Sequence, residues 1–247
     1  MSYITGLTDS HIQNLIARNE PDGVAGLYAC KTILNEHRPA CTGELAFYGK
    51  ALNPSNDADI WSSVLGNGTA SYSTRVLTLT AVAGSAITCR CVIPTTYPYN
   101  SNYLEFDCRF QGWTVGAGAT EGLTAFLGFA NSFAGDYTVN KAGFRLKADG
   151  HTYLYTANAS PGTEVLLSNQ GLGRDLQAGD ICSVRLDRVE GNSNINVTRW
   201  YVNGQKQYES LTYPVANMYA GIGIYEAAEA TDNSTLRVSY IGFKGVP

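Results

Sequence analysis

Residues Gly179–Ser210, GDICSVRLDRVEGNSNINVTRWYVNGQKQYES, decide how the chain is read. Cys182, Val184 and Leu186 alternate with Ser183, Arg185 and Asp187, the period of a strand with one face buried. Gly191-Asn192-Ser193-Asn194 is turn chemistry, and a second strand runs from Thr198 to Val202. Asn203-Gly204 then suits a type I′ hairpin, in which both central residues need φ > 0, and a third strand follows. If Trp200 and Val202 point inward, strict alternation puts Ile195 and Val197 outward. That predicts a bulge near Asn196–Arg199 or a sheet face covered by the N-terminal segment.

The rest of the chain repeats this texture. Only 15% of its 247 residues are charged, with 26 glycines and 16 tyrosines, which suits short strands and tight turns rather than helices or disorder. The chain is long enough to bury a sizeable core without disulfides. A net charge of −4 speaks against a nucleic-acid partner, which calls for a basic face. No apolar run approaches the ~20 residues of a membrane span, so no membrane is expected. MSYITGLTDS lacks the basic and apolar regions of a secretory signal, so synthesis and folding in a cytoplasm are expected.

Residues 1–55 lack a sustained period and are read as an N-terminal arm, with a short helix capped near Thr8-Asp9-Ser10. Residues 56–247 are read as the sandwich. In Tyr103–Gln111, Leu104, Phe106, Cys108 and Phe110 point inward, against Glu105, Asp107, Arg109 and Gln111. Leu123–Ala130 is apolar on both faces, as expected of a central strand covered on both sides. Gly143–Ala148, His151–Thr156, Thr163–Leu167, Tyr219–Tyr225 and Ser234–Phe243 continue the series. About a dozen short strands between turn clusters make a two-sheet antiparallel β-sandwich. Cys89, Cys91 and Cys108 read as small buried hydrophobes, whereas Cys30 and Cys41 could pair.

A strand ending W-Y-V-N-G at Trp200–Gly204, after V-R-L-D at Val184–Asp187, resembles the laminin-G-like branch of the concanavalin A-like jelly-roll superfamily. The order of features extends the resemblance over roughly residues 56–247. It implies a strand near Ile60-Trp61 that pairs near the closing strand. A viral or tumour-necrosis-type jelly roll is the alternative. Retaining glucanases of this superfamily carry E-x-D-x-x-E on one strand, with a nucleophile first and an acid/base last. Glu105 and Asp107 match the first two positions, but Phe110 stands at the third. A phenyl ring cannot protonate a leaving oxygen, so the resemblance implies a non-catalytic member. Asp107 and Arg109, at i and i+2, are expected to form an ion pair.

Other chemistry is sparse. There is no G-x-S-x-G elbow, no P-loop and no paired C-x-x-C, so neither a cofactor nor a metal is expected. Asn131, Asp136 and Asp149 are the residues from which a calcium site could be assembled. Aromatic residues beside Asn and Asp give what a sugar site needs, and the candidates are Tyr97, Tyr99, Trp113, Tyr137, Tyr153 and Tyr155. The leading expectation is a non-enzymatic virion structural protein, a capsid decoration or tail or fibre-associated component. Its partners would be other virion proteins and further copies of itself. A carbohydrate-binding module for host or glycan attachment is the alternative, and a glycoside hydrolase or lyase with an atypical site is a further one.

Overall fold

A computed structural model of the chain describes residues 45–50, 62–65, 68–83, 89–92, 103–119, 122–133, 140–158, 162–188, 196–225 and 231–246. For 45–50, 62–65, 89–92, 188 and 244–246 it describes the backbone alone. All of these residues fall in one compact unit, Gly43–Pro247. The expected helix, the Cys30–Cys41 pairing and Asp136 lie outside the described residues.

The strands, in chain order, are β1 (Leu45–Lys50), β2 (Ser62–Leu65), β3 (Thr69–Ser73), β4 (Val76–Ala81) and β5 (Cys89–Val92). Then follow β6 (Tyr103–Thr114), β7 (Thr124–Ala130), β8 (Lys141–Lys147), β9 (Thr152–Ala157) and β10 (Thr163–Leu166). The last are β11 (Ile181–Arg188), β12 (Asn196–Val202), β13 (Gln205–Ser210), β14 (Tyr219–Tyr225) and β15 (Ser234–Val246). Sheet A runs β13-β12-β11-β6-β15-β4-β3, with β1 also on β15, and sheet B runs β10-β9-β8-β7-β14-β5-β2. Neighbouring strands in both sheets run antiparallel.

Period-2 alternation builds the core. Leu104, Phe106, Cys108, Val184, Leu186, Trp200 and Ile241 of sheet A meet Leu127, Phe129, Phe144, Leu154, Ile222 and Ile224 of sheet B. Phe106 and Phe129 pack edge to face with centroids 6.1 Å apart. Trp200 crosses the layer, its indole N–H donating to the Gly143 carbonyl at 2.8 Å, so the largest core side chain has its polar atom satisfied. Cys108 and Cys182 are buried free thiols opposite each other in register, in keeping with the reading of Cys108 as a small hydrophobe.

Several expectations are met and others corrected. β7 is buried along its whole length, as its two-sided apolar sequence requires. Asn203 and Gly204 take φ of 52° and 79°, as the type I′ turn demands. The pairing of β12 with β11 is unbroken from Val202 to Asn196, so no bulge lies there. The irregularity falls between Trp200 and Tyr201 on the β13 side, and Val197 is buried. The strand after Trp61, β2, pairs with β5 in sheet B and not with the closing strand. That place beside β15 belongs to β1, which lies within the segment read as an arm. β15 is 13 residues long and carries β4 and β1 end to end along one side, with β6 along the other.

Candidate functional site

Because Leu104, Phe106, Cys108 and Phe110 claim the core side of β6, Tyr103, Glu105, Asp107 and Arg109 face away from it. The same alternation on β11 sends Ile181, Ser183, Arg185 and Asp187 to the outer side. Register sets these residues side by side. Asp107 lies opposite Ser183 and Gly242, Glu105 opposite Arg185, and Arg109 opposite Ile181 and Tyr240. Tyr201 of β12 follows Ser183 in the same row. With glycine on one side and serine on the other, Asp107 stands in the low part of this face.

The polar groups here are held by one another. Arg185 Nε lies 2.7 Å from Glu105 Oε1, and the Tyr103 hydroxyl donates to the other oxygen of the same carboxylate. The Arg185 guanidinium sits 4.4 Å over the Tyr201 ring. Towards the sheet edge Arg199 pairs with Asp187 and with Glu209. Such mutual bonding fixes rotamers on strands that are themselves rigid, as a pre-organised binding face requires.

Asp107 and Tyr103 are the groups of this face that depart furthest from their ordinary protonation behaviour. Burial, opposed by a Ser183 hydrogen bond and reinforced by the Glu105 charge, pushes the Asp107 carboxyl up to about 6. Burial first, and then the hydrogen bond to Glu105, raises Tyr103 well above the usual phenol range, so it remains a donor at neutral pH. The face therefore offers a carboxyl held at about 6 beside a tyrosine that keeps its proton.

The expected Asp107–Arg109 ion pair is absent among the described residues, and Arg185 on the neighbouring strand takes Glu105 instead. Residues at i and i+2 on a strand are about 7 Å apart, whereas cross-strand neighbours stand about 5 Å apart. Phe110, at the third position of the glucanase pattern, is 3% exposed and faces the core. Among the described residues no group of three His, Cys, Asp or Glu side chains could hold a metal ion. Asp149 accepts from the His151 N–H and the Tyr153 hydroxyl within its own hairpin.

Of the six aromatic candidates, Tyr97, Tyr99 and Tyr137 lie outside the described residues. Tyr153 and Tyr155 share the outer face of sheet B, but Trp113 does not join them. Its indole packs against the core and donates to the Lys147 carbonyl at 3.1 Å. Tyr155 is buried, with its ring so close to Gly162 that a Cβ there would meet it at 2.4 Å. Tyr153 is half-buried, with Lys147 Nζ 4.2 Å over its ring. Beside them Phe126 lies over Gly143, and Lys141 Nζ sits 4.7 Å over the Tyr225 ring, so the middle of this face is filled. Ile181, Ser183, Arg185 and Tyr201 were not among the candidates because their stretch reads as strands and a hairpin turn. Their outward phase in the same alternation was the available signal.

The architecture is that of the concanavalin A-like lectin and glucanase sandwiches. No protein-family model matches the sequence, and no curated protein matches it. Solved structures do. A protein of unknown function from Shewanella oneidensis MR-1 aligns with TM-score 0.57 and 12% identity over 99% of this chain and 97% of its own. The Bacillus licheniformis β-glucanase gives 0.52 and 14% over 84% and 99%. The metal-free carbohydrate recognition domain of Emp46p gives 0.51 and 11% over 78% and 91%. At these identities the likeness is one of fold.

Proposed function

We propose that the chain is a non-catalytic glycan-binding module whose site is the outer face of sheet A around Asp107. The observation that carries this reading is the locked row of Glu105, Arg185 and Tyr201 beside Asp107 and Ser183. It supplies fixed donors, acceptors and a tyrosine within one patch, which is what sugar hydroxyls and ring faces require. The fold shared with lectin domains supports the same reading. A glycan array followed by calorimetry tests it. Binding that is lost in Tyr201→Ala and Ser183→Ala but kept in a sheet B variant such as Tyr153→Phe is the expected result. Silence across the array sinks the reading.

Mounting on a virus or bacteriophage particle is a second reading. It draws on the chain having a leading segment outside the compact unit Gly43–Pro247. Deleting residues 1–42 tests it. A folded sandwich that no longer joins a particle supports it, and normal incorporation removes it.

A further inference from the structure

Most cations of the described residues are spent on local acids. Arg145 and Lys147 share Glu164, Arg174 holds Asp180, Arg185 holds Glu105, and Arg199 holds Asp187 and Glu209. Arg109 and Arg237 are different. Both side chains are exposed, and neither has an acidic partner among the described residues. Both project from the outer face of sheet A, Arg109 from β6 and Arg237 from the adjacent β15, where its register partners are Gly112 and Thr78. Among the described residues, two guanidinium forks thus stand without an acidic partner on one face of a chain of net charge −4, next to the patch already described.

Their surroundings narrow the ligand. Arg109 is flanked by Ile181, an exposed large hydrophobe at 37%, and by Tyr240. Gln111 donates to Ser239 between the two arginines, so the surface joining them is polar and uncharged. An open fork binds a carboxylate through two parallel N–H···O bonds. An isoleucine and a tyrosine beside it suit the apolar face of a pyranose ring. Two cations amid carboxylates are too few for a nucleic-acid backbone, which needs a continuous basic strip.

We infer that this face takes a carboxylated glycan, a polyuronate, whose carboxylates are held by Arg109 and Arg237. The inference rests on the glycan-binding reading above and names its ligand class. Uronates along one chain would engage the two forks, while hydroxyls reach Asp107 and Ser183. The Asp107 carboxyl, neutral below about 6, then donates where a carboxylate would repel.

The test uses the full chain and a matched pair of probes, a galacturonate oligomer and the same oligomer with its carboxyls reduced to alcohols. A panel of neutral glycans and a single-stranded DNA are run beside them. The oligomer is expected to bind at least about 10-fold more tightly than its reduced form, and added salt weakens it. Arg109→Gln and Arg237→Gln, exposed positions whose melting temperature should not move, each reduce oligomer binding by about 10-fold. If both oligomers bind alike, if neutral glycans bind and the uronate does not, or if the two variants change nothing, the inference is overturned while the glycan reading stands. Preference for the DNA also overturns it. Binding to no glycan at all overturns both.

Discussion

Replacing Asp107 by asparagine should make the protein more stable at neutral pH. In the unfolded chain this carboxyl titrates near 3.8, and in the fold, chiefly through burial, near 6. The folded state therefore holds the proton more tightly than the unfolded one. Stability from this group is complete below pH 3.8, declines between 3.8 and about 6, and is lower by a constant amount above that. At about 1.36 kcal/mol per pH unit the gap amounts to about 3 kcal/mol, and partial exposure brings it nearer to about 2. The introduced amide keeps a carbonyl oxygen for the Ser183 hydroxyl and carries no charge to desolvate. Urea unfolding from about pH 4 to about pH 8 measures this directly. Wild type should lose about 2 kcal/mol across that range relative to Asp107→Asn, and the variant should stay ahead above neutrality, with equal m-values. A variant equal to or weaker than wild type above neutrality refutes the reasoning. A carboxyl shifted this far on an outer face is one expected to act on a ligand, and at neutral pH the uncharged amide of the same substitution should hold a uronate at least as well as wild type.

Asp180 should behave oppositely. The Arg174 guanidinium, with help from the Gln177 N–H and the Asn203 amide, holds its carboxyl at about 2. Asp180→Asn should cost about 1–2 kcal/mol at neutral pH after allowance for solvent screening. Wild type keeps that stabilisation above pH 3.8 and loses it as pH falls through about 2. Acid denaturation of the two variants side by side separates these signs. Thr74 sits at φ 53° in the β3–β4 turn, costly for a β-branched residue. Thr74→Asn should therefore raise stability by about 1 kcal/mol in the same urea assay. Removing residues 1–50 takes β1 from β15 and should lower the melting temperature by several degrees relative to removal of 1–42.

How far the sequence could be read depended on the range of the interaction concerned. Alternation within β6 and β7 and the Asn203-Gly204 turn are local, and they told the faces and the hairpin correctly. β1 escaped because nothing in Leu45–Lys50 announces a partner that lies in β15. Tyr155 and Trp113 looked available as sugar platforms, since a tyrosine or tryptophan on a strand gives no sign of what packs on it. Gly162 and the Lys147 carbonyl close those surfaces from elsewhere in the chain. Arg109 and Arg237 come together only once β6 and β15 are in register, so no motif could have paired them.

The position of β15 bears on how the protein can be made. It lies between β6 and β4 and also holds β1, so the centre of sheet A is the last of its strands to be synthesised. Until β15 has left the ribosome, β4 and β6 have nothing to join them, and the apolar sides of both wait uncovered. Closure of this sheet thus depends on pairings between very distant parts of the chain, a topology that favours slow folding and reliance on chaperones. A stalled or truncated chain lacking these 13 residues would lose the seam of the sheet, not its margin. A fusion partner placed directly after β15 would compete with that closure more than one placed before Gly43.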